Sequence, residues 1–526
     1  MDRTTSLSIL SSQKEPFDIV IVGGGASGLG AAVDAASRGH SVCLIEQSDF
    51  AKGTSSRSTK LVHGGVRYLK QGNVSLVLEA LRERGLLCKN APHLARSQPF
   101  IIPNYHWWEG PFYGIGLKVY DGLAGRLGLE PSRFLSREEV IAELPNIETK
   151  DLTGGVIYHD GQFDDSRLAI NLAQTASEHG AIVANYVRCE GLIKEKGHIA
   201  GVLATDLENG TEIEIRARCV INATGVFADT LRQKDDARAI SMLSPSQGVH
   251  IVLPRDFLPG NAAIMIPKTD DGRVLFAVPW HGRLVVGTTD TPVPEASLEP
   301  RALPEEIDFI FEEVTRYLAR DPLRSDVLSV FAGLRPLVKQ QAVGNTAALS
   351  RDHLIVVSNS GLITLTGGKW TTYRKMAEDV IDHAELIGAL DHRRCVTQGL
   401  AIHGNASDHA GPEHLRIYGS DATGIRDLIT TDLSLGERLH PKLEFQKAEV
   451  VWHVRHEMAR TVEDVLSRRT RALLLDARTS IEAARVVAVL MANELGRDQN
   501  WIESQIKSYS ELANGYLLSD SNVSKK

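Results

Sequence analysis

A chain of 526 residues is too long for one hydrophobic core and should divide into two or three domains. With 43% hydrophobic and 24% charged residues it reads as an ordinary globular protein, and a formal net charge of -8 argues against a nucleic-acid partner. Five scattered cysteines, none in a C-x-x-C pair, point away from a zinc site and a disulfide framework, and toward a reducing compartment such as a bacterial cytoplasm.

The first 16 residues, MDRTTSLSILSSQKEP, are polar, rich in Ser and Thr and without the apolar core of a secretory signal, so a disordered leader is expected. No run of about 18 uncharged apolar residues occurs, so no transmembrane helix is expected, while a peripheral membrane contact stays open. Asp18 to Val22 then reads as a buried parallel strand. Gly23, Gly25 and Gly28 follow as G-x-G-x-x-G, with an Ala-rich helix to about Ser37 and a second strand, SVCLIE, ending at Glu46. The first glycine permits the tight turn, the second a close approach to pyrophosphate, and the third close packing of helix on strand. The helix N-terminus favours phosphate, and Glu46 sits where a carboxylate binds ribose hydroxyls. The alternative is a Gly-rich turn that merely packs closely.

A nicotinamide enzyme usually continues in regular βαβ units. Here AKGTSSRSTKLVHGGVRYL lacks apolar alternation and reads as a loop and helix entering a site. Within it, KLVHGGVRYLK combines a histidine that can move protons with glycines, an arginine and a tyrosine. ARCVINATGVFAD ends in Ala223-Thr224-Gly225, like a second dinucleotide contact of FAD enzymes, and GLITLTGGKWTTYRKMAEDVIDHA reads as strand, glycine turn and helix. These junctions suggest one FAD domain built from discontinuous pieces, 17–90, 155–230 and 345–390. A cap takes 91–154 and 231–344, the latter with short β-rich runs (GVHIVLP, AAIMIP, RVLFAVPW, RLVVGTTD) that predict an antiparallel sheet. NYHWWEGPFYGIGLKVYDGLAGRLG, Asn104 to Gly128, is unusually aromatic and suits either an interfacial membrane contact or a cap packed on the FAD domain. From 391 to 526 apolar residues fall at helical spacing. Arg468, Arg469 and Arg471 there read either as an anion site or as an ion-pair network at a domain junction. His453 and His456 are too few to hold a metal, and no metal is assigned.

The stretches VGGGASGLGAAVDAASRG, TSSRSTKLVHGGVRYL, YHDGQFDDSRL, VVGTTDTP, GLRPL, LSRDH, LTGGKWTTYRKMAED and TVEDVLSRRTRALLLDAR resemble the FAD-dependent glycerol-3-phosphate dehydrogenases of the D-amino-acid-oxidase-like superfamily. They span about residues 17 to 495. The resemblance implies an α/β + α fold: a Rossmann-type FAD-binding domain, a discontinuous antiparallel-β substrate cap and a C-terminal all-α domain. It implies non-covalent FAD, oxidation of glycerol 3-phosphate to dihydroxyacetone phosphate, and transfer of electrons to membrane quinone. A lipid-surface contact at the inner face of the cytoplasmic membrane and a possible homodimer complete the expectation. GGKW and HGGVRYL resemble the mitochondrial branch, but its calcium-binding extension has no counterpart, which favours a bacterial enzyme.

Carried onto this chain, the family pattern makes His63 the proton acceptor, or a histidine that only hydrogen-bonds flavin or orients substrate, and gives Arg351 a possible part in proton transfer. Arg67, Tyr68, Arg335 and Lys369 would hold substrate, with Thr288 and Thr289 lining its side. Arg335, in the apolar run FAGLRPL, is poorly explained as a surface ion pair. Cofactor contacts would come from Gly23, Gly25, Ala26, Ser27, Gly28, Glu46, Ser55, Ser56, Lys60 and Gly64, and from Val187, Ala223, Gly225, Gly368 and Lys369. An oxygen-using oxidase on the same fold, a dehydrogenase of another polyol phosphate such as erythritol phosphate, and a non-catalytic flavoprotein are the alternatives.

Overall fold

The computed structural model describes residues 1–65, 74–267, 269, 272–339, 353–406 and 412–518. The strand Phe17–Val22 lies inside a parallel sheet, with Ile19 opposite Cys219 of Glu212–Asn222 on one side and Val42 of Val42–Ile45 on the other. Ile182–Ala184 extends the sheet beyond Val42–Ile45; Ile363–Gly367 and His353–Val357 extend it beyond Glu212–Asn222. Both faces are covered, so Ile19, Val20 and Ile21 are wholly buried, and the strand reads as a continuous apolar run. The helix Ala26–Ser37 lies close against the helix Tyr373–Ile387, where a side chain at Gly30 would meet the ring of Tyr373 at 2.9 Å.

The second sheet runs Thr291–Pro292, Leu243–Pro254, Arg283–Gly287, Leu275–Trp280, Ala263–Ile266, Ala95–Asn104, Gly154–Phe163 and Leu61–Val62. It is antiparallel, as expected, except where Ala263–Ile266 pairs parallel with Ala95–Asn104 and so joins the two chain pieces of the cap. Gly154–Phe163 belongs to this sheet along its whole length, from Gly154 opposite Asn104 to Phe163 opposite Ala95. The first cap piece therefore reaches Phe163 rather than stopping at 154; ten successive ladder pairs outweigh the Gly and Asp that make this stretch look broken.

The expected disordered leader is instead a helix, Arg3–Ser11, capped by Asp2, whose carboxylate accepts from the amide of Thr4. Arg3 is buried against Asp206 at 2.5 Å and donates to the Asn185 carbonyl at 2.9 Å, while Leu10 packs with Val20 and Ile213. A buried ion pair and one apolar anchor order a segment whose composition alone is that of a solvated tail.

The C-terminal helices include Ala422–Thr431, Lys447–His456, Ala477–Leu495 and Gln499–Asn514, with a π-helical turn at Asp464–Arg469. Their core is shared. Val450, Leu466 and Val487 pack with Trp280 and Phe331 of the cap, while Tyr418, Ile425 and Ala448 pack with Leu172 and other residues of the FAD side.

Candidate active site

A cleft of about 300 Å³ opens at the carboxyl ends of Phe17–Val22, Val42–Ile45 and Glu212–Asn222. It brings together Gly23, Gly25, Glu46, Ser55, Val187, Ala223 and Gly225. Gly23 has φ +116°, and a Cβ there would stand 2.5 Å from the Ala223 carbonyl oxygen; a Cβ on Gly28 would collide with the Gly23 carbonyl. Gly25 precedes the helix whose first residues are Ala26 and Ser27, and the Ala26 amide donates to Ser55 Oγ at 2.9 Å. The early amides of this helix are the donors a pyrophosphate needs. Glu46 accepts from the amides of Gly24 at 2.6 Å and Ser48 at 2.8 Å, which aims the carboxylate along the cleft wall. Burial pushes its pKa up, and these two amides hold it partly down. A backbone cradle closed to side chains, helix amides and a ribose-side carboxylate fit FAD.

From this cleft the chain runs through Ser55 to His63. The turn after Ile363–Gly367 lies over it: Trp370 Nε1 donates to the Ser55 carbonyl at 2.9 Å, and Thr371 Oγ1 to the His63 carbonyl at 3.5 Å. Gly367 and Gly368 take φ +77° and +69°, which a glycine pair allows. The His63 imidazole is pushed down to about 4, first by burial and next by the charge of Lys369; Asp160 opposes this and Arg84 adds to it. Next to it, Asp160 accepts from Arg84 at 2.9 Å, Tyr120 at 2.8 Å and the Gly64 amide at 3.3 Å. A Cβ on Gly64 would collide with Leu81 and the Tyr120 hydroxyl, so packing by itself requires this glycine.

On the cap sheet, Arg335 donates to Asp290 at 3.0 Å, Thr288 Oγ1 at 3.2 Å and the Thr289 carbonyl at 3.0 Å. About a third of its side chain (34%) stays exposed, and burial lowers its pKa. The Leu334 carbonyl beside it accepts from Thr54 Oγ1 at 2.6 Å, so this strand lies against the segment from the cleft.

The "FAD dependent oxidoreductase" family matches residues 18–374, and the "C-terminal domain of alpha-glycerophosphate oxidase" family matches residues 362–501. Mitochondrial glycerol-3-phosphate dehydrogenase of Mus musculus is 38% identical over 98% of this chain and 75% of its own length; the probable enzyme of Caenorhabditis elegans is 39% identical over 96% and 74%. The chain belongs to the FAD-dependent glycerol-3-phosphate dehydrogenase family. A glycerol-3-phosphate dehydrogenase from Bacillus halodurans complexed with FAD superposes with a TM-score of 0.80 at 27% identity, covering 100% of this chain and 99% of that one. An L-alpha-glycerophosphate oxidase from Mycoplasma pneumoniae shares the fold, with a TM-score of 0.57 at 19% identity over 74% of this chain and 98% of that one.

Within this glycerol-3-phosphate dehydrogenase fold, Arg67, Tyr68 and Arg351 lie outside the described residues. Among the rest, two expectations meet a different geometry. Thr289 does not line an open site: it is 1% exposed, and its hydroxyl donates to Glu306 at 2.9 Å and accepts from the Val249 amide at 2.9 Å. Lys60 and Ser56 do not reach the cleft. The Lys60 amine is buried on Asp165 at 2.7 Å and on the Ser56 carbonyl at 2.8 Å. Of the two readings of the C-terminal arginines, the structure shows the ion-pair network at the domain junction: Arg468 and Arg469 both grip Asp49, at 2.5 and 2.6 Å, and Arg471 binds Asp165.

One residue escaped the sequence reading. His250 is buried, stacks on Phe331 at 4.7 Å and shares a hydrogen bond of 2.9 Å with Thr59 Oγ1. Among the described residues its Nδ1 has no hydrogen-bond partner, and burial first, then the charges of Lys60 and Arg335, push its pKa down. Its only sequence signal was an apolar strand, GVHIVLP, interrupted by one histidine.

Proposed function

We propose that this chain oxidises sn-glycerol 3-phosphate to dihydroxyacetone phosphate and delivers the electrons to a quinone in a membrane on which it docks. The observation that carries the reading is the place of His63, on the segment that leaves the FAD cleft and under the turn that carries Lys369, where Thr371 Oγ1 meets its carbonyl at 3.5 Å; burial and the Lys369 charge push its pKa down. The names of the relatives support the substrate. Bound FAD supplies the hydride acceptor. His63, in its base form at neutral pH, takes the proton of the secondary hydroxyl. Lys369 and Arg335 offer cations to the dianionic phosphate, and Asp290 keeps the Arg335 fork oriented before substrate arrives.

The docking side rests on the helix Glu109–Ala124. Among the described residues no helix is long and apolar enough to cross a membrane. This helix is inverted in character: Trp108, Phe112, Ile115 and Val119, spaced along one face, point outward, with Ile115 68% exposed and the preceding Trp107 84% exposed. An apolar stripe turned to solvent suits the bilayer interface, where tryptophan settles at headgroup level. The net charge of -8 disfavours anionic lipid, so apolar insertion supplies the attraction. In this reading the enzyme docks on the cytoplasmic face of a cytoplasmic membrane, and the outward stripe is what supports a docked rather than a spanning protein. Anaerobic mixing with glycerol 3-phosphate tests the reading: the flavin should bleach, and vesicle-borne quinone should restore the colour faster than oxygen. Absence of bleaching sinks the substrate assignment; rapid recovery in oxygen with peroxide release replaces the quinone reading with an oxidase.

A further inference from the structure

The segment that carries Ser55 and His63 is held from the FAD side by Trp370, from the cap by His250 and from the C-terminal helical domain by Arg471. Its anchor is Asp165, the first residue of the helix Asp165–Glu178 and wholly buried. Asp165 Oδ2 accepts from the Ser58 amide at 3.0 Å, from Ser58 Oγ at 2.7 Å and from Lys60 Nζ at 2.7 Å. Its other oxygen accepts from Arg471 at 2.8 Å. The same Arg471 nitrogen donates to the Ser56 carbonyl at 2.8 Å, the carbonyl that also takes Lys60. Arg471 and Lys60 therefore close on one carbonyl and one carboxylate from two sides. Both cations also approach the Trp280 ring, at 5.3 Å for Lys60 and 5.5 Å for Arg471.

The backbone marks this contact as strongly determined. Lys60 and Arg471 each sit at φ +65°, in the left-handed region that residues with a Cβ rarely enter. Arg471 follows the π-helical turn Asp464–Arg469, a form that is rare and concentrated at functional places. Non-glycine residues stay in such conformations where surrounding contacts over-determine them. A second grip lies one turn of chain away: Arg468 and Arg469 hold Asp49, and Glu463 holds Lys52 at 2.5 Å. Asp49, Lys52 and the Ser56 carbonyl thus all meet one stretch of the helical domain.

We propose that Arg471 is a positioning residue for the reaction: through Asp165 and the Ser56 carbonyl it fixes the segment that presents Ser55 to the cofactor cleft and His63 to the substrate. This rests on the reading that His63 acts in the reaction. The C-terminal domain is then part of the active-site scaffold, although none of its side chains needs to touch substrate. Burying an arginine is tolerated here because every contact it makes is charge-assisted or to a buried carbonyl, and a shorter cation cannot make both.

The test compares Arg471→Met and Arg471→Lys with Arg460→Gln in the full FAD-loaded chain. Arg460 joins the same domain to Glu208 through two 2.7 Å bonds and does not touch the segment. Three quantities are read: amide hydrogen exchange of the peptide covering residues 55–63, FAD dissociation, and flavin reduction at saturating glycerol 3-phosphate. Arg471→Met should speed exchange in that peptide by about tenfold or more. It should slow reduction by about tenfold or more with a much smaller change in KM, because misplacement costs the chemical step more than capture. Arg471→Lys should fall between it and the wild type, and it carries the test if the Met variant does not fold. Arg460→Gln should lower Tm without moving exchange of the peptide or the reduction rate. Unchanged exchange and rate in the Arg471 variants overturn the proposal, as does Arg460→Gln reproducing them, which would reduce the effect to general loosening. If wild-type flavin is not reduced by glycerol 3-phosphate, the substrate reading fails, and exchange with FAD dissociation still decides the role of Arg471.

Discussion

The His63 environment makes a quantitative prediction. A histidine of ordinary pKa 6.5 is pushed down to about 4 by burial first and the Lys369 charge second. At about 1.36 kcal/mol per unit, protonating it in the folded protein is disfavoured by roughly 3 kcal/mol. The sign follows: between about pH 6.5 and 4 the unfolded chain binds this proton and the folded chain does not, so stability falls as pH drops through that window and levels off below it. Histidine 13C labelling of the holoenzyme reads this directly, with His63→Asn identifying the resonance. The expected midpoint lies near 4 in the wild type and higher in Lys369→Met, which removes the second cause. His63→Asn should retain FAD yet slow single-turnover flavin reduction by about a hundredfold or more, as loss of a general base does. A midpoint near 6.5 would refute the buried, lysine-flanked site. An unchanged reduction rate would remove His63 from proton transfer and leave Arg351 as the next candidate.

Three further outcomes follow from the same geometry. Arg335→Ala should weaken capture of glycerol 3-phosphate by about 1.5–3 kcal/mol while FAD binding holds; a normal KM in that variant takes Arg335 out of the phosphate site. Acid precipitation should release all the yellow colour, since the cleft offers FAD backbone amides and a carboxylate; flavin retained on the precipitate would show a covalent link. Trp107→Ser with Trp108→Ser should weaken vesicle binding and vesicle-quinone reduction while activity with a soluble dye survives. Equal loss of both activities makes the segment cap structure, and no change moves docking elsewhere.

What the sequence showed plainly was chemistry fixed by near neighbours. Gly28 and Glu46 are demanded by contacts within one strand–helix–strand unit, so their spacing is legible without the rest of the chain, whereas Gly23 also answers to the Ala223 carbonyl of a distant strand. What it hid was set by distant partners. Arg3 is ordered by Asp206, and the Lys60 amine is taken up by Asp165 and the Ser56 carbonyl. Thr289 looked like a substrate-side hydroxyl until Glu306 claimed it. His250 gave no signal because a lone histidine in an apolar strand gains meaning only from Phe331, Thr59 and Arg335 around it. The cap strand Gly154–Phe163 runs past the boundary drawn at 154 because it is set by a ladder partner about 50 residues or more earlier in the chain.

The helix Glu109–Ala124 connects the two phases that the proposed reaction must serve. Its outer face carries Trp108, Phe112 and Ile115; its inner face buries Leu117 and Tyr120. Tyr120 donates to Asp160, which accepts the Gly64 amide next to His63, and the missing side chain of Gly64 is what admits the tyrosine hydroxyl. The apolar stripe and the catalytic segment are therefore separated by the thickness of one helix, roughly 10–12 Å. Glycerol 3-phosphate is a dianion that stays in water, whereas quinone stays in lipid, and neither can cross to the other's phase cheaply. An enzyme that couples them without a spanning helix must hold its cation pocket and its lipid-facing surface on opposite sides of a thin, rigid wall. In the proposed reading the Tyr120–Asp160–Gly64 contacts, buried and with Arg84 paired to Asp160, would tie the two sides together.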